Sequence, residues 1–502
     1  MACILLFGTG PMYAANTNTL EITTQQGLVN GQLQQDVGTF YGIPYAKNPF
    51  VKERRFQAPQ AYGKWQGVLD ATNMGQPVPQ PSRGRNVELV GKPGDLTLNI
   101  WMPKDAIHSD KKLPVMVWLP GGAFIREDAG EQVYNGTSFA KHGVIVVTVN
   151  YRVGVDGFMH LQGAPDNRGT LDQIMALEWV NKNISSFGGD PKKVTLFGQS
   201  AGAESVAILL GIPKAQGLFQ KAIMQSPPMQ SFSQTEAARI TKSFADKLSV
   251  PATIEGIASV PFTQLVSTVI DQGQTITNHD EWGMIAWGGT AFLPVVDNKL
   301  ITGSPMQSLV NNADPSIPII VGSTDQEARL YLVPNGAIDN IAKEEVSLFI
   351  NDLSLNGHPA EAYANKSIGE RYVNLQSDYT FRMPALHIAE HLVNNGNTVW
   401  HYNFSWFSPA FGGRLGPAHF VDVPFTFNTT LSDEAKGMVG ENPPESLAQA
   451  MHDNWIRFAK SDRVDWTPYN LDTRPTMRFD TKSQQVDDPE ASIRELWKDY
   501  PF

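Results

Sequence analysis

Runs of apolar residues alternate with amphipathic stretches along most of this chain of 502 residues. The runs at 113–119, 143–150 and 194–197 are dominated by branched and aromatic residues, as strands buried on both faces of a parallel sheet are. Residues 167–184 place apolar side chains on one broad face at helical spacing, which predicts a helix. Strands that alternate with helices predict an α/β fold, with a large and mostly parallel central sheet flanked by helices.

The N-terminal part of the chain, 16–72, has a different pattern, in which short alternating segments are separated by turn residues. Residues 20–23 and 31–33 predict a hairpin, and the segment as a whole predicts antiparallel strands at one edge of the sheet. Two later segments, 227–290 and 338–397, have weaker helical patterns. We expect them to form helical insertions above the sheet, over the active site.

The composition, with 41% hydrophobic and 18% charged residues, is that of a globular protein with a large core. No linker, charge block or repeat marks a boundary, so we predict a single domain over 16–502. The formal net charge of −11 argues against a nucleic-acid-binding surface. Cys3 is the only cysteine, which excludes a disulfide within the chain. We expect a monomer whose partner is a small-molecule substrate.

Residues 1–15 are apolar and end in small residues, like the second half of a secretory signal that lacks its positively charged start. This pattern favours a truncated signal segment, and hence a secreted or periplasmic protein. The alternative is an apolar N-terminus of a cytoplasmic protein. The stretch is too short to span a bilayer, and no later stretch predicts a membrane span.

The pentapeptide G-Q-S-A-G at 198–202 directly follows the run at 194–197 and precedes a helical pattern at 203–210. A G-x-S-x-G sequence between a strand and a helix is typical of a nucleophile elbow. Such a turn lifts the Ser200 hydroxyl above the sheet edge and aims a helix N-terminus at it. Glycines are needed because side chains two residues either side of the serine would collide. Taken alone, the pentapeptide also fits an ordinary turn.

A glycine-rich turn, P-G-G-A-F at 120–124, follows another buried run. Small residues at the end of a central strand let backbone N–H groups point into a cavity, as in the oxyanion loop of hydrolases. The N–H groups of Gly122, Ala123 and Ala201 are therefore the candidates for holding a tetrahedral oxyanion. A plain glycine-rich turn is the alternative.

A base and an acid for Ser200 follow later in the chain. His419 lies in a loop rich in glycine and proline after a late strand, and Asp325 and Glu327 lie just past an earlier one. The order serine, acid, histidine is that of α/β-hydrolases. In this arrangement Ser200 attacks an acyl carbon, His419 takes its proton and returns it to the leaving alcohol, and the acid orients the imidazole. Spacing alone does not separate Glu327 from its rival Asp325.

This chemistry needs no metal and no cofactor, and we expect none. His387 and His391 have the helical spacing of a metal site, but the sequence offers no third ligand for them. A packed or solvated helix face is the better interpretation of that pair.

Taken together, these motifs resemble those of the type-B carboxylesterases, the family of bacterial p-nitrobenzyl esterases, cholinesterases, fungal lipases and neuroligins. The resemblance covers about 40–469 and implies the α/β-hydrolase fold and a serine esterase activity. The sequences that carry it are F-Y-G-I-P-Y-A at 40–46, V-N-Y-R-V-G at 149–154, N-R-G-T-L-D-Q at 167–173, F-G-G-x4-V-x-L-x-G-x-S-A-G at 187–202, F-L-P-V-V-D at 292–297 and N-W-I-R-F-A at 454–459.

The resemblance also implies roles for single residues. The family's acid is typically the Glu of a D-E-G-like sequence, whose place is taken here by Q-E-A at 326–328, so Glu327 is favoured over Asp325. The G-P-A-H sequence that ends at His419 is similar to the family's base loop. Ser226 resembles the family's supporting serine near the triad, and Gln199 stands next to the nucleophile as a second supporting residue.

The chain departs from the family pattern in two places. The family's E-D-C-L-x-L-N sequence appears as P-G-D-L-T-L-N at 93–99, without the cysteine and without the acidic pair that usually partners the arginine of N-Y-R. Asp95 is the expected partner of Arg152 in their place. Gln199 replaces a Glu typical of cholinesterases, and the loop 73–93 has no tryptophan. Both changes argue against a choline site.

The leading hypothesis is a serine carboxylesterase that hydrolyses uncharged esters through an acyl-enzyme on Ser200. One alternative is a non-catalytic binding protein of the neuroligin kind, which would need the loss of a triad residue. Another is a hydrolase specialised for an amide, a carbamate or a bulky natural-product ester, and the two insertions would decide between these substrates.

Overall fold

The computed structural model describes residues 19–34, 36–84, 87–355, 359–364 and 366–502. The predicted signal segment at 1–15 lies outside these residues. The strands, numbered along the chain, are β1 (Thr19–Thr23), β2 (Leu28–Gln34), β3 (Val37–Ala46), β4 (Val68–Asp70), β5 (Gln80–Pro81), β6 (Leu89–Val90), β7 (Leu96–Pro103), β8 (Leu113–Leu119), β9 (Ile145–Val149), β10 (Gly189–Gln199), β11 (Lys221–Gln225), β12 (Phe232–Ser233), β13 (Val295–Val296), β14 (Ile319–Thr324), β15 (Val399–Phe404), β16 (Pro475–Phe479) and β17 (Gln484–Asp487).

A mixed sheet of thirteen of these strands forms the centre of the molecule, with the order β1-β2-β3-β7-β9-β8-β10-β11-β14-β15-β16-β17 and β4 beside β2. From β9 to β16 in this order, each strand is parallel to the next. At the N-terminal edge, β1, β2, β3, β7 and β9 pair antiparallel. The predicted α/β fold with antiparallel N-terminal strands is confirmed.

The central strands are apolar throughout because both faces of the sheet are covered. In β8, Val115 and Val117 face one hydrophobic cluster, while Met116 and Trp118 face a second cluster on the other side. All four side chains are fully buried. Side chains alternate between the two faces of a strand, so a strand buried on both faces has no polar alternation.

Helices cover both faces of the sheet and fill the connections between its strands. The helices are α1 (Thr137–Lys141), α2 (Gly154–Phe158), α3 (Arg168–Asn183), α4 (Ala201–Leu210), α5 (Gln234–Leu248), α6 (Ile254–Ala258), α7 (Phe262–Thr275), α8 (His279–Trp282), α9 (Ile285–Gly288), α10 (Pro305–Asn312), α11 (Arg329–Leu332), α12 (Lys343–Leu353), α13 (Pro359–Ala362), α14 (Ile368–Ser377), α15 (Met383–Asn394), α16 (Val423–Phe427), α17 (Asp433–Val439), α18 (Glu445–Ser461) and α19 (Ala491–Trp497). A π-helical turn, Asp378–Arg382, joins α14 to α15. No helix in the described part of the chain is both long and apolar enough to cross a membrane.

The two predicted insertions are helical and contact each other. Helices α5 to α9 come from the first, and α12 to α15 from the second. Trp287 of α9 stacks on Phe349 of α12, with ring centroids 4.1 Å apart and an interplanar angle of 17°. The indole N–H of Trp287 also donates to Asp352, at 2.9 Å. This stack joins the two insertions into one wall.

One predicted ion pair is wrong. Arg152 is fully buried, and its Nη2 and Nε atoms bind the two carboxylate oxygens of Asp172 on α3, at 2.7 and 2.8 Å. Asp95 is exposed and accepts instead from the backbone N–H of Asn48, at 2.7 Å. A buried guanidinium needs a partner that is buried with it, and α3 supplies that partner.

Candidate active site

Ser200 occupies a sharp turn between β10 and α4. Its backbone angles are φ 58° and ψ −128°, a region that a non-glycine residue adopts only under strain. The N–H of Ser200 donates to the carbonyl oxygen of Gln225 on β11, at 2.9 Å, which ties the turn to the neighbouring strand. Helix α4 begins at the next residue, Ala201, so its N-terminus lies beside the serine, as the elbow pattern predicts.

The two glycines of the elbow are packed too closely to carry side chains. A Cβ atom at Gly198 would lie 2.5 Å from the carbonyl carbon of Gly202. A Cβ atom at Gly202 would overlap the carbonyl oxygen of Leu119, at the end of β8. The backbones of the turn, the helix and the neighbouring strand are therefore in direct contact, with no room for a side chain between them.

Of the two candidate acids, the structure brings Glu327 to His419. Its Oε2 atom lies 2.5 Å from Nδ1 of His419. Its Oε1 atom accepts from the Ser226 hydroxyl at 2.6 Å and from the backbone N–H of Thr324 at 2.7 Å. Both oxygens of this fully buried carboxylate thus have partners, which fix its position against the imidazole.

Asp325 points to a different group of charges. Its carboxylate lies 3.8 Å from Arg478 on β16. Burial raises the pKa of Asp325, an effect that the nearby Arg382 partly opposes. The two acids are two positions apart just past β14, and for that reason the sequence spacing alone could not decide which of them pairs with His419.

His419 is almost fully buried, and the ring of Phe381 packs against its imidazole with centroids 4.3 Å apart. Because Nδ1 faces the Glu327 carboxylate, we assign the imidazole proton to Nδ1, which leaves Nε2 as the acceptor. The nearest polar partner of Nε2 is the side-chain amide nitrogen of Gln199, at 2.9 Å. Within the described residues, the Ser200 hydroxyl forms no hydrogen bond, to His419 or to any other group.

The predicted oxyanion loop follows β8 and is held in an unusual conformation. Gly122, Ala123 and Phe124 all have positive φ, at 133°, 54° and 56°. The carbonyl of Gly122 accepts from Arg126 N–H at 3.1 Å, and the carbonyl of Ala123 accepts from the Thr290 hydroxyl at 3.1 Å. Both carbonyls are thus already paired, and the second of these bonds connects the loop to the first insertion.

The N–H groups of the same loop are free to act as donors. Those of Gly122 and Ala123 donate no hydrogen bond to any group in the part of the chain that the structure describes. Ala201 is the first residue of α4, so its N–H has no acceptor within the helix. The three predicted oxyanion donors therefore have no acceptor among the described residues. Their loop lies next to the elbow, since a Cβ atom at Gly121 would lie 3.0 Å from Cβ of Ser200.

Ser200, Ala201 and Ala123 line a cavity of about 310 Å³. Its other walls come mostly from the insertions and from the segment after β14, and they are mainly apolar and aromatic. They include Phe124, Trp287, Leu293, Tyr331, Leu332, Tyr372 and Phe381. In the described residues, the lining contains no lysine, arginine, histidine or aspartate.

Comparisons with known proteins decide the family. The sequence profile of the carboxylesterase family matches residues 18–495. The chain belongs to the carboxylesterase family. The para-nitrobenzyl esterase of Bacillus subtilis is 33% identical over 494 residues, which cover 94% of this chain and 97% of that protein. The phenmedipham hydrolase of Pseudarthrobacter oxydans is 31% identical, over 91% of this chain and 92% of its own length. The crystal protein of Dictyostelium discoideum is 28% identical, over 94% and 90%.

Solved carboxylesterase structures have the same fold. A carboxylesterase of Geobacillus stearothermophilus superposes with a TM-score of 0.83 at 31% identity, covering 95% of this chain and 99% of that one. A PNB esterase superposes with a TM-score of 0.80 at 32% identity, again over 95% and 99%. The predicted resemblance to the type-B carboxylesterases is confirmed by both kinds of comparison.

Sequence reasoning missed one polar group of this carboxylesterase site. Glu204 lines the same cavity as Ser200, one helical turn further along α4. It is fully buried, and its carboxyl oxygens accept no well-formed hydrogen bond from the described residues, although the backbone N–H of Gln230 lies close enough to lower its pKa slightly. Burial raises the pKa of Glu204 well above its usual value. The spacing of four residues from Ser200 is the signal that could have placed it on this side of the helix.

A buried hydrogen-bond network connects the loop that carries His419 to the strand beside the elbow of this carboxylesterase. Asp422, three residues after His419, accepts from the Gln225 side chain at 2.8 Å and from the Tyr402 hydroxyl at 3.1 Å. Burial raises the pKa of Asp422 to about 6. Gln225 belongs to β11, the strand that also holds the Ser200 turn, so this network connects the base loop to the elbow.

Proposed function

We propose that this protein is a serine carboxylesterase that hydrolyses uncharged carboxylic esters through an acyl-enzyme on Ser200. The observation that carries the proposal is that three separate elements come together around the elbow and the cavity wall beside it. The elbow presents Ser200 to the cavity. The Glu327–His419 pair contacts the adjacent residue Gln199 and packs against Phe381 of the cavity wall. The loop after β8 contributes N–H donors that have no acceptor among the described residues.

In the first half of the proposed reaction, Nε2 of His419 takes the proton of the Ser200 hydroxyl. The serine oxygen bonds to the acyl carbon, and the carbonyl electron pair moves onto the carbonyl oxygen. The N–H groups of Gly122, Ala123 and Ala201 hold that oxyanion, and each such donor contributes about 3 kcal/mol to lowering a barrier of this kind. The bond to the alkoxy oxygen then breaks, and the proton moves from His419 to the departing alcohol.

In the second half, water attacks the acyl-enzyme, and His419 takes the water's proton in the same way. Breaking the bond to the Ser200 oxygen releases the carboxylic acid, and the proton returns from His419 to the serine. Throughout, the Glu327 carboxylate stabilises the imidazolium that forms in each half. The hydrogen bonds from Ser226 and Thr324 hold that carboxylate in place.

The lining of the cavity supports uncharged esters as substrates. Its walls are mainly apolar, and burial raises the pKa of its carboxyl group, that of Glu204, which favours the neutral form. A volume of about 310 Å³ is at the small end of the range for small-molecule pockets. These properties favour compact acyl and alcohol groups over charged ones.

Hydrolysis of p-nitrophenyl esters, from acetate to dodecanoate, tests the proposal. We expect the wild type to prefer short to medium acyl chains and Ser200→Ala to lose at least about 10⁴-fold in kcat. Phenmedipham is a useful second probe, because a relative is named for its hydrolysis. If the folded wild type hydrolyses none of these compounds and remains unlabelled by a fluorophosphonate, a non-catalytic binding function replaces the proposal.

A further inference from the structure

The side chain of Gln199 contacts Nε2 of His419, the nitrogen that takes the serine proton in the proposed reaction. The Gln199 amide nitrogen lies 2.9 Å from Nε2, and the side chain is almost fully buried. The Ser200 hydroxyl, which must give its proton to that same nitrogen, makes no hydrogen bond within the described residues. Among the described residues, the residue before the nucleophile, and not the nucleophile, is the hydrogen-bond partner of Nε2.

The orientation of the Gln199 amide follows from the tautomer of His419. Nδ1 faces the Glu327 carboxylate and carries the proton, so Nε2 presents a lone pair. An amide N–H group complements that lone pair, whereas the amide oxygen would be repelled by it. The oxygen faces the other way, toward the oxyanion loop, where a Cβ atom at Gly121 would lie 3.1 Å from Gln199 Oε1.

We infer that Gln199 is a positioning residue that covers Nε2 of His419 in the resting enzyme and releases it to Ser200 when an ester binds. This inference rests on the proposed esterase function. An amide N–H donor complements the lone pair of neutral imidazole, whereas imidazolium would direct an N–H group of its own at that donor. A glutamate at this position would act in the opposite direction, since its charge favours imidazolium.

The other groups around His419 are carboxylates and aromatic rings, and none of them is an amide donor like Gln199. The titratable groups that face the imidazole are Glu327, Asp422 and the phenol of Tyr331, whose ring lies 5.7 Å from that of His419. The two carboxylates favour imidazolium when they are ionised, and the Phe381 ring provides no hydrogen bond. Among the described residues, Gln199 is therefore the uncharged donor that faces Nε2.

The test is the pH dependence of kcat/KM for p-nitrophenyl butyrate, measured from about pH 5 to about pH 9. Gln199→Met removes the donor, and Gln199→Glu replaces it with a charge. Gln173→Met is the matched control, because Gln173 is also a buried glutamine beside α4 but donates to Ser205, at 3.0 Å.

We expect the acid limb of the profile to move to higher pH by about half a unit to one unit in Gln199→Met. In Gln199→Glu it should move by at least about one unit, and in Gln173→Met it should stay in place. Active-site titration with a fluorophosphonate restricts the comparison to folded, active molecules. Acid limbs that coincide with the wild type in both Gln199 variants would overturn the inference while the esterase function stands. A wild type with neither turnover nor titratable Ser200 would instead overturn the proposed function, and with it the inference.

Discussion

The Glu327 carboxylate lies 2.5 Å from Nδ1 of His419, although 92 positions separate the two residues in the chain. Strands β14 and β15 are parallel neighbours, so their carboxyl ends place both following loops at the same edge of the sheet. The elbow after β10 opens at that edge as well. The parallel centre of the sheet therefore assembles the candidate site.

The contact between Glu327 and His419 predicts which acid matters for activity. Glu327→Gln would leave the imidazole without a carboxylate, and we expect kcat to fall by about 10⁴-fold, as in other serine hydrolases with this change. Asp325→Asn should change kcat only a few-fold, because Asp325 faces Arg478. Initial rates on p-nitrophenyl butyrate measure both. The assignment is wrong if only Asp325→Asn loses activity.

The buried carboxyl of Glu204 predicts a pH-dependent cost in stability. Its pKa is raised by burial, so the folded protein holds a proton that the unfolded chain releases above about pH 4.5. The free energy of unfolding therefore decreases as pH rises from that value toward the raised pKa. Glu204→Gln carries no such proton, and its stability relative to the wild type should increase by more than about 1 kcal/mol between about pH 5 and about pH 7.

Urea denaturation at the two pH values measures this difference. Glu344→Gln is the control, since Glu344 is exposed in the first turn of α12 and should give the same difference at both values. A constant difference for Glu204→Gln as well would show that Glu204 is ionised in the folded protein, contrary to the expectation.

The close packing of the elbow predicts opposite effects for two glycine-to-alanine changes. At Gly202 the new methyl group would overlap the Leu119 carbonyl, so we expect Gly202→Ala to destabilise the fold by several kcal/mol, about 3 or more. Gly273 lies inside α7, and a Cβ atom there would meet nothing within 4 Å. Gly273→Ala should therefore stabilise the protein by about 0.5–1 kcal/mol. Thermal unfolding of the two variants would contradict this account if both changes had the same sign.

Much of the fold could be predicted because strands buried on both faces leave a continuous apolar signal. The predicted run at 113–119 coincides with β8 (Leu113–Leu119), and the helix predicted at 167–184 corresponds to α3 (Arg168–Asn183). The strands β16 and β17 gave no comparable signal. They are short, they lie at the sheet edge, and β17 is largely exposed, so their pairing depends on contacts with β15 that local patterns do not contain.

In the candidate site, too, the residues could be predicted from local sequence, whereas contacts between distant side chains could not. Ser200, Glu327 and His419 could be proposed from the sequence because each follows a strand or carries a motif. The contact of Gln199 with His419 could not, because the direction of a side chain toward a distant loop is set by tertiary packing. The partner of Arg152 was predicted wrongly for a related reason. Asp95 was chosen because it lies in the sequence that corresponds to the family's acidic motif, but it is exposed, and Asp172 binds Arg152 from α3 instead.

The central claim is that Ser200 becomes covalently acylated. Mass spectrometry of the intact protein, quenched during turnover of p-nitrophenyl acetate and then digested, tests it most directly. We predict one added acetyl group, located on the peptide that contains Ser200 and absent from Ser200→Ala. Turnover that continues undiminished in Ser200→Ala, or an acetyl group on another residue that forms as fast as the product appears, would contradict the account.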